Sequence, residues 1–374
     1  MMSRIYILLA LVIWLSSCKE SEQISPSDLT LVQGVINDDF SGEPVAIYAN
    51  GINQTLVAFS RDHAEYGEPL TLSMSSDLAP AVLQDQFGNN YDINGKFLGS
   101  EGGNKFNLQK VNFLVGYWFF FPAFFENTIL YNGQVVNSTK QTPSEGWLVN
   151  TDFIFTGSSR DGIPSIDNPT FVPLAGKEFV DDPFYSSLSQ HDLMTVLKIG
   201  NTSHVYPHQI LEYHEIVNDA IEGQNITLSY CPLTGTSRAW KSEVKNDFSE
   251  FGVSGLLYNN NLILYDRITE SYWSQILELS INGDCLSEEI SPIQVYETTF
   301  NGVKRLQGEV HLLSTNTGFN YIYNQSIYDD YRISDRVSFP ISNQNNSLNP
   351  KERVLGIIKG GQVKTYSFGD FEDL

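Results

Sequence analysis

A mainly β domain with few short helices, built from two pseudo-equivalent halves, is predicted by two observations. Short runs rich in β-branched and aromatic residues are punctuated by Gly, Asn and Asp along the chain, the pattern of strands joined by tight turns. The second observation is an ungapped self-match. Asp38 and Gly42 return as Asp219 and Gly223, 181 residues later, and the same spacing superposes Phe59 on Trp240, Ser73 on Ser254, Asp85 on Asp266 and Tyr91 on Tyr272. Shared β composition does not sustain such a match without gaps, so it reads as an internal duplication.

In chain order, Arg4 precedes an apolar run over residues 5–15, which gives way to Ser16, Ser17 and Cys18. A membrane-spanning helix needs ~20 apolar residues, so this shorter run reads as a secretory signal over residues 1–17. Residues 18–30 are a polar tether. The rest, 31–374, is one bilobal β domain: a first half of 31–140 plus 350–370, a crossover at 141–190 and a second half at 191–320. Strands are predicted at 45–48, 55–59, 70–73, 196–199, 226–230 and 262–265, where β-branched or aromatic residues concentrate. The one clear helical pattern is 209–217, with Ile210, Leu211, His214 and Val217 on related faces. The run 117–125, Tyr-Trp-Phe-Phe-Phe-Pro-Ala-Phe-Phe, is the most apolar stretch of the domain and belongs in a core. Residues 158–171, punctuated by Pro164 and Pro169, form a structural crossover.

The duplicated order is circularly permuted. The stretch Thr195-Val-Leu-Lys-Ile-Gly leading to Val205-Tyr206 matches Arg353-Val-Leu-Gly-Ile-Ile-Lys-Gly-Gly leading to Thr365-Tyr366, with two extra residues in the latter. The opening strands of the first half therefore lie at the C-terminus. Pairing of N- and C-terminal strands then closes the domain and leaves no free edge there.

Forty-four acidic against 22 basic residues give a net charge of −22. Nucleic-acid binding needs a basic surface, so no nucleic acid is expected as a partner. Beyond Cys18 the chain has two cysteines, Cys231 and Cys285. In an oxidising compartment these could pair.

Reactive side chains concentrate between His204 and Thr236. Cys231 closes an apolar strand and is followed by Pro232, which cannot continue a central ladder, so its thiol sits where strand turns into loop. The duplicated half has Asn50 at that position and Phe368 where His208 stands. His214 is the candidate general base, with Glu215 or Asp219 orienting it, and His208 is a weaker partner because six residues, about one and two-thirds turns, separate it from His214. Arg267 has no duplicated counterpart and is a candidate anion contact, with Thr234 and the amides beside it. Asp266 matches Asp85 and reads as a turn residue in both halves. Three functions stay open. One is a thiol-dependent enzyme acting on an unknown small-molecule or envelope substrate, with Cys231 attacking, His214 moving the proton and Arg267 holding charge. Another is a soft-metal protein binding Cu or Zn through Cys231, His214 and His208. The third is a non-catalytic binding or scaffold module that uses the cleft between the halves, for which the thiol is inert and changing Trp118 or Trp273 has a strong effect.

Two resemblances add to this. Leu15-Ser16-Ser17-Cys18 resembles the lipobox of bacterial lipoproteins, which implies lipidation of Cys18, a lipid bilayer as partner and a place in the bacterial cell envelope, at the outer membrane. The segments Asp161-Gly-Ile-Pro-Ser-Ile-Asp-Asn-Pro, Tyr206-Pro-His-Gln-Ile-Leu-Glu-Tyr-His-Glu-Ile-Val-Asn-Asp and Ser229-Tyr-Cys-Pro-Leu-Thr-Gly-Thr, with Lys351-Glu-Arg-Val-Leu-Gly-Ile, resemble the domain-of-unknown-function 3179 family of bacterial envelope proteins, over roughly residues 32–368. That resemblance implies no activity. It does imply a second cysteine at the position of Thr234, and the departure counts against dithiol redox chemistry here.

Overall fold

The computed structural model describes residues 32–63, 67–99 and 106–372. The signal segment, the tether and Cys18 lie outside the described residues. The domain is mainly β. Six sheets form the six blades of a β-propeller, with a small hairpin of Glu243–Val244 and Asp247–Phe248 beside them.

Three sheets draw their strands from residues 33–60, from 72–91, and from 113–137 joined by Arg353–Lys359 and Gln362–Ser367. The other three are built from second-half strands, and the crossover lends two of them an edge strand, Ile154–Thr156 and Phe171–Pro173. The crossover is thus a structural connector. The predicted strands are all present, most of them a residue or two longer than their apolar cores, because the ladder continues through the polar residues that lead into each turn. Gln33–Phe40 and Glu43–Asn50, for example, pair along their whole length around Ser41 and Gly42. Both turn residues have positive φ, +53° and +75°, and Glu222 and Gly223 repeat this at +50° and +75°. Two left-handed residues suit the right-handed twist of a two-residue hairpin, which explains the glycine in each copy.

Two of the three five-stranded sheets have the same internal order. Phe113–Tyr117 pairs antiparallel with Arg353–Lys359, which pairs antiparallel with Gln362–Ser367, which runs parallel to Asn127–Leu130. Tyr296–Thr299, Leu193–Ile199, Thr202–Pro207 and Glu309–Leu313 follow the same sequence of pairings. The hairpins 193–207 and 353–367 are equal in length, each with a two-residue turn. The two extra residues read from the sequence therefore do not exist as an insertion; the second-half strand simply starts earlier, at Leu193. The N-terminal strand Gln33–Phe40 pairs with Glu43–Asn50 and stays at the edge of its sheet, so the expected pairing of N- and C-terminal strands is not formed: Arg353–Lys359 and Gln362–Ser367 pair instead with Phe113–Tyr117 and Asn127–Leu130, and only the C-terminal turn Phe368–Phe371 packs on the first strand.

One large core runs through both halves, from Val45 and Ile47 to Leu355, Tyr366, Val196 and Leu228. The aromatic run lies inside as predicted, with Trp118, Phe120 and Phe121 at 0% exposure. Trp118 and Trp273 are both buried, and their indoles donate to the Asn345 carbonyl and to Asp266. The helix is shorter than its periodicity, His208–His214. Glu215 takes a left-handed φ of +56°, and from Ile216 the chain pairs with Gln224–Cys231 instead.

Candidate functional site

Cys231 ends its strand opposite Thr236, with the Pro232-Leu233-Thr234-Gly235 turn beyond it. Its thiol is fully buried and donates to the Asn260 carbonyl at 3.4 Å. Burial, reinforced by the neighbouring Glu215 charge, pushes the Cys231 thiol up to about 11. Such a thiol is protonated at neutral pH and is a poor nucleophile. Cys285 is likewise buried, and the two cysteines are free, so the disulfide alternative does not hold.

His214 is not the thiol's partner. Its Nδ1–H donates to the Pro164 carbonyl at 2.8 Å, and its Nε2 accepts from the Tyr323 hydroxyl at 2.6 Å. Both nitrogens are committed, and burial lowers the imidazole's pKa, so the ring is neutral. The reason is the helix end. The left-handed turn at Glu215 brings that residue's carbonyl against the Tyr230 amide at 2.7 Å, placing Glu215, one residue past His214, beside the Cys231 strand. Glu215 is 6% exposed, its carboxyl makes no hydrogen bond among the described residues, and burial raises it to about 8. A thiol and a carboxyl, both neutral at pH 7, share this corner. Tyr331 roofs it, donating from its hydroxyl to the Leu233 carbonyl at 2.8 Å, with Tyr328 alongside, where burial and then the Glu215 and Cys231 charges raise its phenol.

The other predicted residues disperse. Asp219 accepts from His204 Nδ1 and from the Tyr206 hydroxyl, at 2.7 and 2.5 Å, and orients no catalytic histidine. Asp38 does the same for Lys364 and Tyr366. Asp266 collects the Ile268, Thr269 and Ser271 amides and the Trp273 indole. Asp85 likewise takes the Phe87 and Asn89 amides and the Tyr91 hydroxyl, so both are turn residues. Arg267 pairs with Asp167 and Glu250, each at 2.8 Å, and donates to Ser165. It bolts the crossover to the second half and reaches no thiol, so the predicted anion contact is spent on structure. Thr234 is fully buried and accepts from Asn261 within an amide and hydroxyl net that includes Thr236 and Gln275. Among the described residues no three His, Cys, Asp or Glu side chains gather as a metal set would, and Cys231, His214 and His208 do not come together as one.

His208 belongs to a different cluster, which the sequence did not reveal. Its ring packs on Tyr230 with centroids 4.3 Å apart, and its Nε2 lies 3.0 Å from Thr195 Oγ1. Thr195 meets Ser237, which donates to Glu297, and Glu297 is paired with Arg353. Burial, then the Arg332 and Arg353 charges, hold His208 well below its ordinary pKa, so it is neutral. Since Ser237 gives its proton to Glu297, the chain runs from His208 Nε2–H through Thr195 and Ser237 to the carboxylate. Arg332, paired with Glu212, also donates to the Tyr230 hydroxyl. Two arginines and two carboxylates thus neutralise each other around two tyrosines, Tyr117 and Tyr230. The available signal was Arg353 at the head of a repeated strand, where the second half carries an apolar residue.

A cavity of about 230 Å³ lies elsewhere, between the first half and the second. Tyr48, Asn50 and Asp92 face it from one side, Tyr296, Thr298 and Arg305 from the other. Asn50, Asn53 and Thr55 here stand 181 positions before Cys231, Thr234 and Thr236.

The family described as protein of unknown function (DUF3179) matches residues 160–373, more than half of the chain. The chain belongs to this family. The match takes in the later part of the crossover, the whole second half with Cys231, and the C-terminal strands that join the first-half sheet. It starts well after residue 32, where the resemblance in the sequence began. No curated protein and no solved structure matches the chain.

Proposed function

We propose that this member of the DUF3179 family is a non-catalytic binding module that takes a small molecule in the cleft between its two halves. The observation that carries this reading is the 230 Å³ cavity walled by polar side chains of both halves. Concave sites that combine an apolar wall with a few convergent polar groups are the usual places for ligands. The thiol-enzyme and soft-metal readings lose support because Cys231 is protonated, roofed by Tyr331 and unaccompanied by a free imidazole.

We also infer that the two halves descend from one duplicated and permuted unit, closed by its C-terminal strands. The repeated order of pairings in two of the five-stranded sheets and the paired roles of Asp38 with Asp219 and Asp85 with Asp266 support it.

Crystals soaked with a chemically mixed fragment set test the binding reading. Fragments are expected in the cleft of the wild-type protein, and Ala81→Trp, on its partly exposed wall, should exclude them without altering the melting curve. In parallel, iodoacetamide at pH 7.5 should leave Cys231 unlabelled until the protein is unfolded. Rapid labelling of the folded protein at Cys231, with an empty cleft, would return the thiol-enzyme reading to first place.

A further inference from the structure

The cleft also carries information about what it takes. Asp92 sits on its inner wall at 1% exposure. Its Oδ1 accepts the Asn94 and Lys96 amides, at 2.8 and 2.9 Å, whereas its Oδ2 is buried without a partner. Leaving a buried carboxylate oxygen without a hydrogen bond costs its desolvation with nothing in return, so a site that keeps one is arranged for a donor that arrives from outside. Lys110 and Lys198 both register its charge, but the Lys110 Nζ lies over the Tyr296 ring, 4.7 Å from the centroid, and donates to Asn94, while Lys198 donates to the Gln307 carbonyl. Lys110 forms no salt bridge with Asp92 among the described residues.

At the opposite wall Arg305 is exposed and has no ion-pair partner among the described residues, although the molecule carries twice as many acidic as basic side chains. Asp77, the other acid at the rim, is engaged by the Asn90 amide. The Tyr48 hydroxyl, which also lines the cleft, accepts from Asn50 and keeps its own proton available to donate. Met74, Leu78, Pro80 and Val82 make the remaining wall apolar. An unpaired anion deep inside, an unpaired cation at the mouth and an apolar side wall together define a ligand with matching poles.

Resting on the cleft reading above, we propose that the ligand is a small zwitterion of amino-acid size, its ammonium on Asp92, its carboxylate on Arg305 and its side chain along Leu78 and Val82. The cavity volume, about 230 Å³, is below the range for drug-sized ligands and fits a molecule of that size. The matched position in the second half supports a ligand rather than a packing defect. There Cys231 and Thr234 replace Asn50 and Asn53, and Tyr331 covers the corner with a hydrogen bond to Leu233. One copy of the corner is filled by its own chain, and the other is open and lined by unpaired charge.

Titration calorimetry of the full chain with the twenty common amino acids tests this, with L-leucine compared against its decarboxylated amine and its deaminated acid. At least one apolar amino acid should bind one to one, more tightly than either single-charge analogue. Asp92→Asn keeps the oxygen that accepts the turn amides and should weaken the amino acid and the amine by about tenfold or more. Arg305→Gln should weaken the amino acid similarly and leave the amine unchanged. Neutral fragments in the cleft with no amino acid binding would overturn the ligand class while leaving the binding module standing. Loss of all binding in the wild-type protein would remove both. Binding that ignores Asp92→Asn would overturn the assignment.

Discussion

Glu215 is a carboxyl whose chemistry departs far from its type. A carboxyl ordinarily titrates near 4.5, and burial raises this one to about 8. Between those values the unfolded chain has released the proton while the folded chain still holds it. Stability contributed by this group is therefore complete below the ordinary pKa and falls as pH rises through the window, at up to about 1.4 kcal/mol per pH unit, until the folded group also ionises. Glu215→Gln should remove that slope, so that thermal unfolding shows the variant gaining on the wild type steadily from pH 5 to pH 8. Equal pH profiles for the two proteins would mean that the carboxyl is solvated after all. The sequence directed attention to this corner but to His214, one residue away. Periodicity carries the helix through Val217, and nothing in residue type announces that a glutamate will adopt positive φ and end it. Cys231, by contrast, was legible, because a thiol before proline at the end of an apolar strand can hardly be elsewhere.

At the level of elements, a buried ion pair joins the C-terminal strand Arg353–Lys359 to the second half. Arg353 and Glu297 expose 14% and 3% of their side chains, so each relies on the other for its charge. Removing one partner of a buried pair leaves an uncompensated ion, which typically costs 3–5 kcal/mol, whereas replacing both by neutral groups of similar volume costs far less. Arg353→Met should therefore lower stability by about 3 kcal/mol or more, and adding Glu297→Gln should recover most of it, as read from urea unfolding midpoints. Additive losses would show that the pair is not coupled. Strands were readable from β-branched runs because each ladder buries alternate or consecutive apolar residues. The arginine cluster was not, since two arginines and two glutamates scattered from 212 to 353 look like surface charge until the fold converges them.

At the scale of the whole molecule, the repeat of 181 residues is visible in the sequence, whereas the six blades are not, because a periodicity inside each half is erased by unequal loops. The permuted order proposed above has a physical consequence. In the second half, the hairpin 193–207 runs through the helix His208–His214 directly into the strand Ile216–Ile221. In the first half, the matching hairpin 353–367 runs through the turn Phe368–Phe371 to the end of the described chain, and that turn packs on Gln33–Phe40, the strand that would come next. If the halves share one ancestral order, rejoining the two ends costs little, since the link is short and closes between neighbours. A permutant that starts in the loop near Asn346, connects residue 372 to residue 32 through a few glycines and ends where it was cut should fold cooperatively. Its melting temperature is expected within about 5 °C of the wild type, because a few residues of flexible loop alter stability by roughly 1 kcal/mol. The control permutant is cut inside the second half, between His214 and Ile216, and has the same linker. It breaks the continuous helix-to-strand passage and should melt well below the first. Should the two permutants melt alike, the equivalence of the halves would reduce to a similarity of sheets, and the C-terminal strands would be an ordinary closing element rather than the displaced beginning of the first half.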